Sequence, residues 1–384
     1  MPEHENRAHA LLSASGSHRW MACPPSARLE KCCQTKESDA AKEGTVAHEL
    51  CELKVKVQLG EDVSMSEYEA LKENPLFTKE MDACTNIYAD YCIDTAKEEN
   101  GLPLIEVELD LSSYIPEGFG TVDCVIVSEK TLHVIDFKYG RGVEVSPVEN
   151  SQLMIYALGA YDLYSPIYDF ETVKLTIVQP RLSAEPKTWE CDVQHLLDFA
   201  EKLKPIADLA FKGGGEFAPS EHTCLFCKAK YTCRARADKN LATMFLQEKD
   251  PYTLSNAEIG EILAMVSDFP KWIKDLEDYA LEQLLAGNEI KGYKAVEGRS
   301  SRVWSDEQKA FETIIKDGTE EKDLYETTPL SLAKIEKLLG KKKFASLVGE
   351  YVTKSQGKPT LTLSSDIRPS IQDAKSMFTE EGEN

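Results

Sequence analysis

The chain has 384 residues, 42% of them hydrophobic and 29% charged, enough for a large buried core and for two domains. Its net charge of −22 counts against any nucleic-acid partner, because phosphate contacts come from Lys and Arg, and leaves only local basic patches for such binding. No run of eighteen apolar residues occurs, which excludes a membrane-spanning helix, and the opening Met-Pro-Glu-His-Glu-Asn lacks a basic-then-apolar signal, so the expected location is the cytoplasm with no membrane partner.

Near the N-terminus Ser15 or Ser17 can cap a short helix that stops before Pro24-Pro25. Cys23 falls at its end, where a small buried hydrophobe is the plainer account of it. Residues 40–58 read as a helix with Val46, Leu50, Leu53 and Val57 on one face and Gly44, His48, Cys51 and Val55 nearly opposite. Gly44, one turn before His48, leaves room at the imidazole, although a core histidine is the commoner use. A helical stretch at about 66–99 is acidic and tyrosine-rich. Residues 61–110 carry fourteen Asp/Glu against three Lys, half of the net charge.

Residues 103–110 alternate like a strand. Phe119–Lys138 then reads as two strands joined at Glu129-Lys130, with Val122, Cys124 and Ile126 alternating with Asp123, Val125 and Val127. Mirroring about that turn sets Ser128 opposite Thr131 and Asp123 opposite Asp136, and alternation puts Lys138 on the face of Asp136. Like charges directly opposite in a sheet are destabilising. A bound cation would compensate them. A divalent metal on carboxylates with a lysine beside it is equipment for phosphodiester hydrolysis.

Ser146-Pro147-Val148-Glu149 has the form of a capping box with proline at the first helical position, and predicts a helix from there through Tyr161, with Gln152 and Tyr156 on one face. A strand at 172–179 follows, so strands, helix and strand imply an α/β sheet with a crossover helix. Residues 192–212 read as a helix ending at Gly213. Cys224, Cys227 and Cys233 are spaced C-x2-C-x5-C, as for zinc or an iron–sulfur cluster, and three ligands need a distant fourth. Eleven cysteines, an odd number in a long chain, argue against a disulfide framework.

Helical patterns recur at 255–287, 305–316 and 329–351, with a short strand at 290–296 near Arg299 and Arg302, and a polar tail after them. Basic residues gather at 228–239 and at 334–358, including Lys341-Lys342-Lys343. Solvated helix faces account for the second patch as well as a contact with DNA or a partner does. The expected division is 1–246 and 247–384, the latter mainly helical and without assigned chemistry.

Together Gly44-Thr-Val-Ala-His48, Gly120-Thr-Val-Asp123, Asp136-Phe137-Lys138, Gln152-x-x-x-Tyr156 and Cys23 far upstream of Cys224, Cys227 and Cys233 resemble the PD-(D/E)xK nuclease superfamily. The similarity is to its RecB-like branch with an iron–sulfur cluster, which includes AddB-type domains, and to a phage and prophage family of that branch. It covers roughly residues 10–240. The resemblance implies a restriction-endonuclease-like core, a central mixed sheet flanked by helices, with an iron–sulfur clamp. It implies that His48, Asp123, Asp136 and the Phe137 carbonyl ligate Mg²⁺ or Mn²⁺. Lys138 would position the attacking water and stabilise charge on phosphate, steadied by Gln152 and Tyr156. Cys23, Cys224, Cys227 and Cys233 would hold a [4Fe–4S] cluster. The implied activity is a DNA exonuclease acting on single- or double-stranded ends, with a phage annealing or recombination protein as partner. Asp136 stands where many relatives carry Glu. Two other readings stay open at this point: a non-catalytic iron–sulfur module on the same scaffold, and a zinc ribbon in an unrelated interaction protein.

Overall fold

Five strands form one mixed sheet: β1 (Leu102–Asp110), β2 (Phe119–Val127), β3 (Thr131–Phe137), β4 (Thr172–Val178) and β5 (Lys187–Asp192), hydrogen-bonded in that order. The computed structural model describes residues 10–33, 38–183, 185–242, 256–296, 307–316, 324, 332–348 and 351–352. Arg299, Arg302 and the tail from 353 lie outside them. Contacts divide the chain into two units, Met1–Val296 and Glu297–Asn384, so the helices between 256 and 285 fall by contact in the first.

The hairpin has the register its two-residue turn dictates. The Ser128 N–H donates to the Thr131 carbonyl at 3.0 Å, and Cys124 pairs with Ile135 and Val127 with Leu132. β1 adds antiparallel to β2, and β4 lies parallel to β3 through the crossover helix α6 (Ser151–Tyr164). That helix begins four residues later than the Ser146 capping box predicts. Glu149 sits at φ 51°, which takes it out of the helix, and Asn150 caps instead, accepting from the N–H groups of Gln152 and Leu153. Edge strand β5 had no counterpart in the sequence reading. It has no fully buried residue, so no apolar run marks it.

Each face of the sheet buries its own core. Against one pack α6, α7 (Val193–Lys212) and the N-terminal α1 (Ser17–Ala22) and α2 (Ser26–Lys31), around Leu12, Trp20, Val125, Val134, Leu153 and Leu196. Against the other pack α3 (Asp39–Leu59) and α5 (Lys79–Glu98), around Leu50, Val55, Tyr88, Ile126, Ile135 and Phe137. In α3 the buried face is single, with Val46, Ala47, Leu50, Cys51 and Val55. Val57, predicted on an apolar stripe, is exposed. The stretch at 66–99 is two helices, α4 (Met65–Glu73) and α5. They are separated where Pro75 ends one and Thr78 caps the other by accepting from the Met81 N–H.

The strict alternation expected of β2 fails at one point. Val122, Val125 and Val127 share the first core while Cys124 and Ile126 lie in the second, so the pattern resets at Asp123. On β1 the same reset occurs between Leu104 and Val107, where Glu106 adopts φ 50°. Glu106 and Asp123 are opposite by register, yet the ladder pairs their neighbours and skips them. A left-handed non-glycine residue in mid-strand is strained, and such strain collects at functional sites.

α8 (Glu221–Cys224), α9 (Arg234–Ala242), α10 (Asn256–Met265) and α11 (Phe269–Leu285) complete the first unit. Arg236 is fully buried there, paired with Asp268 at 2.7 Å and Asp275 at 2.6 Å. The strand expected at 290–296 is absent; the chain turns about Gly292, at φ 84°. In the second unit the described helices are α12 (Glu307–Lys316), α13 (Leu332–Leu339) and α14 (Lys341–Val348), the last two joined at Gly340.

Candidate active site

Three elements meet where β2 begins and β3 ends. From the second core, α3 presents His48, with its Nδ1 3.3 Å from Asp123 Oδ1. The other Asp123 oxygen accepts the Phe137 N–H at 2.7 Å, which fixes the carboxylate across the hairpin. From the opposite face, α6 presents Gln152. Its Nε2 donates to Asp136 Oδ1 at 2.8 Å, while its Oε1 accepts from Lys138 Nζ at 3.1 Å. Lys138 Nζ also lies 2.8 Å from Asp136 Oδ2. One amide therefore reads both the acid and the amine, and it can do so because Asn150 starts the helix at that point.

The remaining predicted residues take distinct places. The Phe137 ring is buried and meets His48 edge-on, with 5.4 Å between centroids. Tyr156 lies against Gly120, where an added Cβ would stand 3.1 Å from the tyrosine Cε1, so the bare glycine makes room for that ring. Gly44 is different: a Cβ there would meet nothing within 4 Å, and the space beside it is an open cavity of about 400 Å³ bordered by Thr45, His48, Glu52 and Glu106.

Glu106 was missed. Its ligand oxygen, His48 nitrogen and an Asp123 oxygen all lie within 4.8 Å of one another. Strict alternation through Leu104-Ile105-Glu106-Val107 gives no hint of it, because the left-handed turn of the backbone at Glu106 brings the carboxylate to the site. The usable signal was Glu106 facing Asp123 across the two strands, one of three acidic residues in β1.

The electrostatics show excess negative charge. Burial, then the charges of Asp123 and Glu52, push the Glu106 carboxyl up to about 7. Burial and the neighbouring Asp123 also raise Asp136 above the usual carboxylate range, against the pull of Lys138. Burial acts the same way on Asp123, but His48, Lys138 and the Phe137 N–H outweigh it and hold that group ionised. Burial works against charge on His48 and on Lys138, and the aspartates override it, raising both. Lys138 is therefore a firmly held ammonium, suited to orienting and stabilising rather than to abstracting a proton. Burial and the two aspartates keep the Tyr156 phenol protonated. Asp136 Oδ2 is buried with no aligned hydrogen-bond donor. An imidazole and carboxylates with uncompensated charge are a donor set for a hard or borderline divalent cation.

Cys23, Cys224, Cys227 and Cys233 all line one enclosed pocket, although Cys23 is two hundred residues away in sequence. The loop is tied to the N-terminal helices independently. Arg19 pairs with Glu30 at 2.9 Å and donates to the Phe226 carbonyl, and the Lys228 N–H donates to Glu30 at 2.6 Å. Burial pushes the Cys227 thiol up to about 12. A hydroxyl contact of 2.6 Å between Ser17 and Ser151 connects this region to the start of α6, next to Gln152.

A family described as "Protein of unknown function (DUF2800)" matches residues 9–369. Among solved structures, the crystal structure of SSO0001 is similar at 16% identity and a TM-score of 0.26, over 56% of this chain and 95% of that one. LHK-Exo in complex with dAMP is similar at 12% identity and a TM-score of 0.24, over 51% and 90%. An alkaline exonuclease (LHK-Exo) from Laribacter hongkongensis is similar at 10% identity and a TM-score of 0.24, over 51% and 91%.

Proposed function

We propose that this chain, which belongs to the DUF2800 family of proteins of unknown function, is a divalent-metal-dependent deoxyribonuclease of the PD-(D/E)xK kind. The observation that carries the reading is the convergence of His48, Glu106 and Asp123 within 4.8 Å, beside Asp136 and the Asp136-paired Lys138. His48, Glu106, Asp123 and Asp136 would hold Mg²⁺ or Mn²⁺, the first three offering ligand atoms together and Asp136 sharing its carboxylate between the cation and Lys138. A cation there would supply Lewis-acid polarisation of a phosphodiester and a more acidic water. Lys138 would orient the attacking water and balance charge developing on the phosphate oxygens. Gln152 keeps Asp136 and Lys138 in mutual register, and Tyr156, protonated, can donate to a strand oxygen.

Within that reading, exonuclease action on DNA ends, membership of the RecB-like branch and a role in phage or prophage recombination are our proposals from the motif set. So is a [4Fe–4S] cluster on Cys23, Cys224, Cys227 and Cys233. The shared pocket supports it, and no three of these sulfurs lie within 4.8 Å of one another among the described residues.

The test is digestion of end-labelled single-stranded, double-stranded and circular DNA in Mn²⁺. Linear DNA should be shortened from its ends and circular DNA spared. Digestion of circles would replace the exonuclease assignment with an endonuclease, and intact DNA throughout would refute the nuclease reading.

A further inference from the structure

Two arginines beside the site converge on one carboxylate. Arg141, in the loop leaving Lys138, and Arg181, just past β4, both donate to Glu80 Oε2, Arg181 through Nη2 at 3.2 Å. Arg181 Nη1 also reaches Glu43 and the Tyr139 carbonyl, each at 3.4 Å, and its guanidinium lies 4.3 Å over the Tyr139 ring. Tyr139 in turn stacks on Phe137, the ring that meets His48. Arg181 thus stands two rings, Tyr139 and Phe137, away from His48, on the side of the sheet that α3 and α5 cover.

The arrangement is held in place. Buried Gln179 donates to the carbonyls of Gly140 and Val143 and accepts the Val145 N–H, which fixes the loop that carries Arg141. Arg181 is only 11% exposed, and its Nε is buried without an acceptor, whereas the Glu80 side chain is 43% exposed. The Arg181 guanidinium is therefore the fixed part, whereas Glu80 and the 60%-exposed Arg141 side chain can rearrange around an incoming anion. An anionic oxygen between two guanidiniums is the geometry in which arginine binds phosphate.

We infer that Arg141 and Arg181 form a subsite for a DNA phosphate flanking the scissile bond, occupied by Glu80 until the strand displaces it. The inference rests on the nuclease reading. It also gives a chain of net charge −22 a local cationic contact that its own acids mask in the absence of DNA. A merely structural ion-pair network makes the opposite prediction for Glu80, because removing that acid would then loosen the loop and help nothing.

The experiment is fluorescence anisotropy of a labelled oligonucleotide duplex in EDTA, over a range of salt. Arg141→Ala should weaken binding about tenfold, the worth of a hydrogen bond to a charged group. It should also lower the salt-dependence slope by about 0.9, one phosphate contact. Arg181→Lys, which keeps the charge and the packing on Tyr139 but loses the fork, should weaken binding at an unaltered slope. Glu80→Gln should tighten binding. Equal or weaker binding by Glu80→Gln, or a wild-type slope in Arg141→Ala, overturns the subsite while leaving the nuclease reading intact if the wild type still cleaves. A wild type that neither binds DNA in EDTA nor cleaves it in Mn²⁺ removes both.

Discussion

Glu106→Gln should make the metal-free protein more stable and its metal-bound form less so. The carboxyl is pushed from its ordinary 4.5 up to about 7 by burial and by Asp123 and Glu52. That difference is on the order of 3 kcal/mol, and solvent screening of a partly exposed group brings it to about 1–2 kcal/mol. The sign follows from the raised value. The favourable contribution of the protonated group is complete below 4.5 and is lost as pH rises through about 7, so at pH 8 the wild type carries the full cost of an ionised Glu106. The neutral amide removes that cost at similar volume, but it also removes one of three converging ligands. Chemical unfolding at pH 8 in EDTA and in Mn²⁺ measures both effects. The variant should gain about 1–2 kcal/mol in EDTA. It should also lose most of the stabilisation that a saturating ligand gives, about 2.7 kcal/mol at a hundredfold excess over Kd. A variant less stable in EDTA, or one that Mn²⁺ stabilises as much as wild type, would refute the assignment of Glu106 to a cation site.

Lys138→Met should cut cleavage by about 10²–10³-fold, the usual loss for one group that stabilises transition-state charge, with DNA affinity in EDTA much less affected. Single-turnover cleavage alongside anisotropy separates the two. Cys227→Ala should abolish the brown visible absorption of anaerobically purified protein and lower its Tm, since the proposed cluster would join the N-terminal helices to the 224–233 loop across the pocket that the four cysteines line. A coloured variant or an unchanged Tm would contradict a cluster with that joining role. Arg236→Ala leaves Asp268 buried with only the Asn240 amide, and Asp275 with only Lys230 at 2.9 Å, and should cost about 3–5 kcal/mol by urea unfolding. A loss under about 1 kcal/mol would mean that solvent reaches the pair.

Much of this arrangement is legible in the chain because it rests on short-range rules. A two-residue connection at Glu129-Lys130 leaves one register for the hairpin, which pairs residues up to Cys124 with Ile135 and so brings Asp123 and Asp136 to the same end of the two strands. A helix between two strands leaves one handed crossover, which places Gln152 over Lys138. What escaped prediction depends on competition or on strain. Ser146 and Asn150 both compete to start α6, and Asn150 prevails by taking two backbone N–H groups where Ser146 takes only the Val148 N–H. β5 is an edge strand without a buried face, so periodicity alone does not distinguish it from loop. Glu106 is the instructive case, because its φ of 50° breaks the period-2 rule that sequence reading relies on. Strand rules fail there because the fold spends local strain to bring a third carboxylate to the site.

In the proposed reaction the carboxylates of the hairpin, with Lys138, cleave DNA with a divalent cation. End-labelled linear duplex incubated with Mn²⁺ and either wild type or Asp136→Asn tests it most directly. Wild type should shorten the duplex progressively, EDTA should suppress the reaction, and the variant should be slower by at least about 10²-fold. Intact substrate with wild type, or equal cleavage by Asp136→Asn, would contradict it.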